Sequence, residues 1–215
     1  FDCNGLNKIE VDELNRCFSS DNGVLFNKAK TKLIQYPVGK TDVEYTVPEG
    51  VTTIGDYSFF SCVNLNNIKM PRELKTIEKG AFKECTDLDN VEIPKGATYI
   101  GGQAFHGCGG LNQIVISETV TNIDMDAFNG CDNLTIYGIA NSYAEKYANE
   151  NGINFSALEE FIVENGVLIE YNGSGGDIVI PGDMRITSIG KYVFCNNQSI
   201  TSVKIPDGIE LIGDG

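Results

Sequence analysis

The sequence is poor in basic residues and histidine, and it contains no tryptophan. It carries 16 Lys and Arg against 30 Asp and Glu, which gives a formal net charge of −14 over 215 residues. A nucleic-acid-binding surface needs clustered Lys and Arg, and an acidic protein is not attracted to anionic lipid. No apolar run approaches the roughly 18 residues that a membrane-spanning helix requires. The composition therefore argues against a nucleic-acid partner and against a membrane span in this chain.

Residues that commonly carry catalysis, cofactors or metals are also scarce or badly spaced. The chain has one histidine, His106, and no G-x-S-x-G segment, so we find no nucleophile–base pair. Its Gly-Gly pairs lack the Lys and Ser or Thr of a phosphate-binding loop, and it has neither a C-x-x-C pair nor an EF-hand loop. We predict no enzymatic activity, no cofactor and no metal site, and we interpret His106 as a surface residue.

What the sequence does contain is a period of 23 residues. Four residue types recur in one register, and a proline follows the same beat in three copies. These residues are Cys62, Cys85, Cys108 and Cys131; Phe59, Phe82, Phe105 and Phe128; Leu65, Leu88, Leu111 and Leu134; Ile54, Ile77, Ile100 and Ile123; and Pro48, Pro71 and Pro94. Independent positions do not share a register by chance, so we predict a repeat protein.

Each repeat divides into a strand and a turn region. Within residues 88–93, Val91 and Ile93 face one side and Asn90 and Glu92 face the other, which predicts a strand with one buried face. The proline that follows cannot donate to a sheet and ends the strand. The remainder is too short and too interrupted by glycine for a regular helix, and we predict a turn region with at most one helical turn. The apolar side chains of one repeat cannot offset the entropy of ordering it, so the repeats must stack.

The repeat resembles a known family. Residues 77–88, which read I-E-K-G-A-F-K-E-C-T-D-L, closely resemble the BspA-like leucine-rich repeat, a type common in bacterial surface proteins. The resemblance covers nearly the whole chain. It implies a mainly β repeat solenoid, a right-handed leucine-rich-repeat coil with a parallel sheet on one face. It also implies a cell-surface or secreted location and a role in adhesion or protein binding, without identifying a ligand.

The period also indicates how the chain is organised. We predict a first array over residues 1–158, with a hairpin insertion at about 13–41 and a capping helix at about 140–151. In that helix, Asn141 or Ser142 is the expected N-cap and Gly152 the expected stop. A second array is predicted over residues 159–215.

Two hairpins and two interrupted repeats complete this organisation. Asn22-Gly23 and Asn165-Gly166, each between apolar runs, predict β-hairpins, and the first is expected to protrude from its coil. The chain opens with residues that fit the second half of a repeat: Phe1, Cys3, Leu6, Ile9 and Val11. The pattern stops within a repeat at Gly215, so the second array is expected to be truncated and the parent protein longer.

The cysteines of the period, called here the ladder cysteines (Cys62, Cys85, Cys108 and Cys131), admit three interpretations. Neighbouring coils are about 5 Å apart, which is compatible with a disulfide. Their inward position beside Phe and Leu favours free buried thiols that act as small apolar side chains. Metal binding has the least support, and we favour free thiols. Cys3, Cys17 and Cys195 lie off the ladder or at its ends, and Cys17 is the expected exposed thiol.

The remaining candidate surface is the outward face of the predicted strands. Its residues are Glu44, Thr46, Asn67, Lys69, Asn90, Glu92, Gln113, Val115, Thr135 and Tyr137. Solenoids bind partners on such faces because side chains form regular rows on a rigid frame. We hypothesise a non-catalytic cell-surface or secreted binding or adhesion scaffold for a protein partner, either host extracellular matrix or another bacterial surface. The alternatives are that these residues only solubilise the sheet, and that the chain is a structural spacer presenting another domain.

Overall fold

The computed structural model describes residues 3–173, 175–182, 184–195 and 197–214. The chain forms two compact units, Phe1–Ser156 and Ala157–Gly215. The sequence predicts the division two residues later, after residue 158. Short strands dominate both units, and the described residues contain a single α-helix. The fold is a mainly β solenoid with parallel sheets, as predicted.

The first unit is built from two sheets and one helix. Its elements are β1 (Phe18–Asp21), β2 (Val24–Asn27), β3 (Lys32–Gln35), β4 (Glu44–Thr46), β5 (Thr53–Ile54), β6 (Asn67–Lys69), β7 (Thr76–Ile77), β8 (Asn90–Ile93), β9 (Tyr99–Ile100), β10 (Gln113–Ile116), β11 (Asn122–Ile123), β12 (Thr135–Ile139), α1 (Tyr143–Asn151) and β13 (Asn154–Leu158). One sheet has the order β13-β12-β10-β8-β6-β4, and the other has the order β1-β2-β3-β5-β7-β9-β11. Each full coil therefore contributes one strand to each sheet.

The six-stranded sheet follows the predicted pattern. Along β8, Val91 and Ile93 are buried while Asn90 and Glu92 are exposed. Parallel pairing joins residues 23 positions apart, for example Asn90 with Gln113, so equivalent positions of successive coils form straight rows. The predicted alternation of inward apolar and outward polar side chains is confirmed for these strands.

The far side of each coil carries a second sheet, where the sequence predicts a turn region with at most one helical turn. The two-residue strands β5, β7, β9 and β11 pair in parallel, with Thr53 beside Thr76 and Ile54 beside Ile77. The isoleucine of each pair is buried, and the preceding residue is not. The predicted turn region is present around these strands. The strands themselves were not predicted, because two residues are too few to show a period of two, and pairing between equivalent positions of successive coils holds them.

A column of stacked aromatic rings runs through the core of the first unit. Successive phenylalanine rings from Phe59 to Phe128 lie 4.9–5.2 Å apart at interplanar angles of 5–17°. Tyr36 extends the column with a ring 5.0 Å from that of Phe59, and it lies 23 residues earlier in the sequence. Tyr147 of α1 closes the other end, edge-on to Phe128 at 5.9 Å. Such stacking contributes about 0.5–1.5 kcal/mol per pair beyond area burial.

The ladder cysteines are buried beside this column, as predicted, and all seven cysteines are free thiols. A ladder thiol donates a hydrogen bond to the phenylalanine carbonyl of the preceding coil: Cys85 to Phe59, Cys108 to Phe82 and Cys131 to Phe105, at Sγ–O distances of 3.0–3.1 Å. Burial raises the pKa of the Cys131 thiol to about 12 and also raises the pKa values of Cys85 and Cys108. These three thiols therefore resist ionisation, and all four ladder cysteines are part of the buried core.

The predicted hairpin insertion does not protrude but closes the start of the array. β1 and β2 pair around Asn22-Gly23, whose φ angles of 48° and 81° suit a two-residue hairpin turn. β2 pairs antiparallel with β3, and β3 pairs in parallel with β5, so the hairpin continues the seven-stranded sheet. Val24, Phe26 and Leu33 are fully buried and cover the apolar end of the stack.

The segment before this hairpin is not half of a repeat. Residues 3–17 contain no strand, and Cys3 and Leu6 are exposed. The Ile9 amide donates to the Gly23 carbonyl at 2.8 Å, so the segment lies along the hairpin turn. Side chains of the hairpin already cover the end of the core, and Ile9 and Val11 are only partly buried beside it. Phe1 lies outside the described residues.

Helix α1 closes the other end of the first unit. It starts after Ser142, whose hydroxyl accepts a hydrogen bond from the Glu145 amide, and it ends at Gly152 in the left-handed conformation. Its buried residues are Ala144, Tyr147 and Ala148. These side chains pack on the last coil, and the predicted capping helix is confirmed over a slightly shorter range.

The second unit repeats the opening of the first on a smaller scale. Its strands are β14 (Phe161–Glu164), β15 (Val167–Tyr171), β16 (Gly176–Val179), β17 (Ser188–Ile189), β18 (Ile200–Lys204) and β19 (Leu211–Ile212). The predicted hairpin around Asn165-Gly166 joins β14 to β15, and β15 pairs in parallel with β17 as β3 pairs with β5. β17 pairs with β19, and β16 pairs with β18, again in parallel.

The core of the second unit keeps only part of the aromatic and thiol columns. Tyr171 lies 23 residues before Phe194, and their rings are 5.5 Å apart. Asn197 occupies the ladder-cysteine position, and its amide donates to the Gly173 carbonyl at 3.0 Å. A donor aimed at the preceding coil is therefore retained while the thiol is not. Cys195 is exposed.

Candidate functional site

The structure places the ten predicted site residues on one face in two rows, called here the partner face. The first row crosses β4, β6, β8, β10 and β12 in register: Glu44, Asn67, Asn90, Gln113 and Thr135. The second row lies two residues further along each strand: Thr46, Lys69, Glu92, Val115 and Tyr137. Within each row, residues on neighbouring strands are about 4.8 Å apart, so the side chains form a regular grid.

The polar side chains of the partner face are largely free. None of the ten residues is buried. Glu44 pairs with Lys69, and the Asn90 amide donates to the neighbouring Asp89 at 2.8 Å. Within the part of the chain that the structure describes, six further polar side chains have no hydrogen bond or ion pair to another residue: Thr46, Asn67, Glu92, Gln113, Thr135 and Tyr137. These donors and acceptors are left for water or for a partner.

The character of the partner face changes along the array. Charged residues lie on its first three strands, with Glu44, Lys69 and Glu92. Towards β12 the second row becomes apolar and aromatic, because Val115 lies directly beside Tyr137. Both side chains are partly exposed. On its other side Val115 pairs with Glu92, so an aromatic and aliphatic pair borders the charged part of the face. Tyrosine beside an aliphatic residue is a combination common in protein interfaces.

The sheet extends one strand further than the sequence predicts. β13 neighbours β12, and Phe155 packs against the core, so Asn154 and Ser156 lie on the outward side. This strand was not predicted, because residues 154–158 follow a helix and carry none of the repeat's marker residues. The alternation around Phe155 was the available signal.

The seven-stranded sheet presents a second outward face with a single row, called here the opposite face: Thr53, Thr76, Tyr99 and Asn122. Its strongest polar groups are already paired within the protein. Lys32 forms an ion pair with Glu78, and the Tyr99 hydroxyl donates to Asp124 at 2.8 Å. That hydrogen bond is the main reason why the pKa of Tyr99 is raised. The opposite face is narrower than the partner face and offers fewer free groups.

The described residues hold no group of three or more His, Cys, Asp or Glu side chains that could bind a metal ion. No helix in the described ranges is long and apolar enough to cross a membrane. His106 is partly exposed, and within the described part of the chain its inaccessible Nδ1 has no hydrogen-bond partner. Its neighbour Phe105 belongs to the core. Cys17 is exposed as predicted, and so are Cys3 and Cys195.

Comparison with known proteins identifies the repeat. The family model described as "BspA type Leucine rich repeat region" matches six copies over residues 40–165 and 171–215. A leucine-rich repeat protein from Eubacterium ventriosum is 27% identical, with a TM-score of 0.54, and the match covers 99% of this chain and 52% of that protein. A leucine rich cell surface protein from Faecalibacterium prausnitzii is 29% identical, with a TM-score of 0.49 and coverage of 68% and 45%. The chain thus spans about half the length of these solved relatives. A search of curated proteins gives no match.

Proposed function

Because the chain belongs to the BspA-type leucine-rich repeat family, whose members are typically non-catalytic scaffolds for protein interaction, we propose that it binds a protein partner through the partner face. The proposed setting is the bacterial cell surface or the secreted fraction, and the proposed role is adhesion. The proposed partner is either host extracellular matrix or the surface of another bacterium. We propose no catalytic step and no cofactor for this role.

The observation that carries this proposal is a set of unpaired polar side chains in two rows on a packed sheet. Thr46, Asn67, Glu92 and Gln113 are held in register by strands whose inner faces are fully packed. Side chains on such a frame lose little backbone freedom when a partner binds, which favours affinity. Tyr137 beside Val115 supplies the aromatic and aliphatic contact that commonly dominates binding energy.

A binding assay with defined probes tests the proposal. The full chain is immobilised, and fibronectin, laminin and type I collagen are passed over it at physiological salt. We expect at least one of them to bind with a Kd at or below about 10 μM, the range of specific but reversible contacts. A variant carrying Asn67→Ala, Gln113→Ala and Tyr137→Ala should lose most of this binding.

The matched control changes the other sheet. A variant with Thr53→Ala, Thr76→Ala and Tyr99→Ala alters the same number of outward residues on the opposite face and should bind as the original chain does. Absence of binding to all three matrix proteins, and to whole bacterial cells, would contradict the proposal and leave the spacer interpretation. Equal loss in both variants would contradict the assignment to the partner face.

A further inference from the structure

A cavity of about 320 Å³ lies at the end of the first unit, between the last coil and the end of α1. Its polar lining comes from Asn129, Gly130 and Asp132 in the coil, and from Asn151 and Asn154 around the helix end. None of the ten partner-face residues and none of the opposite-face row lines the cavity, although Asn154 begins β13 at the edge of the six-stranded sheet. Its volume is at the lower end of the roughly 300–1,000 Å³ that is usual for small-molecule sites.

The cavity exists because the last coil has no following coil in the first unit. In the three preceding coils, the amide two residues after the core phenylalanine donates to a carbonyl of the next coil: Ser61 to Lys83, Glu84 to His106 and Gly107 to Asn129, at 2.8–2.9 Å. Gly130 occupies the same position in the last coil. Among the described residues its amide has no acceptor, and the group borders the cavity.

Helix α1 replaces only part of the missing coil. The Tyr147 ring covers Phe128, and its hydroxyl donates to the Met125 carbonyl at 3.2 Å. The helix then ends at Gly152, before it can cover the turn that contains Gly130. The thiol of Cys131 consequently belongs to a residue that is 8% exposed, whereas Cys85 and Cys108 are fully buried. The gap is therefore a fixed feature of the way in which the array is capped.

The chemistry of the lining selects the class of ligand. Three carboxamides, from Asn129, Asn151 and Asn154, can each donate and accept hydrogen bonds. The Asn151 amide already donates to the Tyr147 carbonyl at 2.9 Å, which leaves its oxygen as an acceptor. An anion is disfavoured by Asp132 and by the carbonyl end of the helix. A metal ion lacks the necessary carboxylates, because the described residues offer no such cluster.

Groups that both donate and accept, together with a free backbone amide, match the hydroxyls of a sugar ring. We propose that this cavity binds a neutral saccharide unit, whose hydroxyl oxygens accept from the Gly130 amide and exchange hydrogen bonds with the asparagine side chains. This site is separate from the protein-binding face and does not depend on it. The small volume and the open, polar lining correspond to a Kd in the millimolar range.

Backbone amide shifts in the NMR spectrum of the ¹⁵N-labelled full chain test this proposal. Glucose, galactose and N-acetylglucosamine are titrated separately, with the anion glucuronate as the charged control. We expect saturable shifts at Gly130, Asp132 and Asn154 with at least one neutral sugar. Asn129→Ala and Asn154→Ala, both at exposed positions, should each weaken binding about fivefold, the effect of losing one hydrogen bond.

Gln113→Ala is the matched control, since it removes an exposed carboxamide from the partner face and should leave the titration unchanged. The dispersion of the spectrum reports whether each variant is folded. Linear, non-saturating shifts with every neutral sugar up to about 50 mM would overturn the proposal. Equal binding of glucuronate, or an unchanged Kd in both asparagine variants, would also overturn it. Sugar binding and matrix-protein binding are measured independently, so failure of one does not imply failure of the other.

Discussion

The partner face and the opposite face come from the same coils, yet they differ in what they leave free. The partner face has strands of three to five residues and two rows of outward side chains. The opposite face has two-residue strands and one row. On the opposite face, Tyr99 is paired with Asp124 and Lys32 with Glu78. Among the described residues, that row leaves three polar side chains without a side-chain partner, against six on the partner face.

The difference shows how a repeat separates stability from binding. The inward isoleucine of each short strand is buried as completely as the apolar residues of the longer strands. The inner faces of both sheets therefore form the core. Polar side chains that bond to each other across coils, such as Tyr99 and Asp124, stabilise the stack and are not available to a partner. Free groups on a rigid frame are available, and this distinction predicts different outcomes for changes on the two faces.

The largest effect is expected from a change that removes the support of both faces. Phe82→Ala deletes a fully buried ring from the middle of the aromatic column and should lower the free energy of unfolding of the first unit by about 3–5 kcal/mol. Hydrogen exchange under native conditions, read by mass spectrometry, measures each unit separately. Phe194→Ala, at a partly buried ring of the second unit, is the matched control and should cost less. Equal losses would contradict the account of the column.

A change on the partner face should affect binding much more than stability. Tyr137→Ala is expected to weaken binding of the matrix protein by about 2 kcal/mol, or roughly 30-fold, because central tyrosines commonly carry that much. Tyr99→Ala on the opposite face should leave the Kd unchanged. Surface plasmon resonance with both variants provides the measurement. A larger loss in the Tyr99 variant would reverse the roles assigned to the two faces.

The thiols distinguish the core from both faces. Cys3, Cys17 and Cys195 are exposed and should react with N-ethylmaleimide within minutes, whereas the four ladder thiols should react at least tenfold more slowly. Because burial raises the pKa of Cys131 to about 12, raising the pH from 7 to 9 should leave the slow labelling of Cys131 unaccelerated. The pKa of Cys131 in the folded chain lies above the unfolded value of about 8.5. The free energy of unfolding should therefore fall as the pH rises above about 8.5, because the unfolded chain then loses this proton first. Labelled peptides are counted by mass spectrometry, and fast labelling of Cys108 in the folded chain would show that the column is open.

The smallest effect concerns a polar pair of the opposite face. Tyr99→Phe removes the hydroxyl that donates to Asp124 and should lower the free energy of unfolding by about 0.5–1.5 kcal/mol. Binding of the matrix protein should not change. Urea unfolding of the variant beside the original chain measures the difference. No loss of stability would mean that this hydrogen bond is exchanged for water without cost, and the contrast between the faces would be weaker.

Most of the fold could be predicted from the sequence because the repeat places the same side chain in the same environment several times. Phe82 and Cys108, for example, are recognisable as core residues from the period alone. Tyr36 lies on the same period, 23 residues before Phe59, but was not predicted as part of the column because the residue is tyrosine and not phenylalanine. The two-residue strands could not be predicted, since their stability comes from pairing between coils and leaves no local pattern. The same holds for the hairpin, whose burial depends on the open end of a stack.

The candidate site was predictable in position but not in its surroundings. Alternation along β8 and β10 placed Glu92 and Gln113 on an outward face, and the structure agrees. Whether such a side chain is free or paired depends on residues in neighbouring coils. Asp124, which holds Tyr99, is 25 residues away in the sequence. The cavity beside Gly130 likewise depends on where α1 ends, and no sequence motif marks it.

Carboxyl footprinting of the complex shows which of the two faces the partner covers. The partner face should be covered, and the opposite face should remain accessible. The full chain is labelled with carbodiimide and glycine ethyl ester, alone and bound to the matrix protein that it recognises, and the modified carboxylates are quantified by mass spectrometry. The account predicts that the partner protects Glu44 and Glu92 and leaves the labelling of Glu78 and Asp124 unchanged. Protection of Glu78 and Asp124, with Glu44 and Glu92 still labelled, would contradict it.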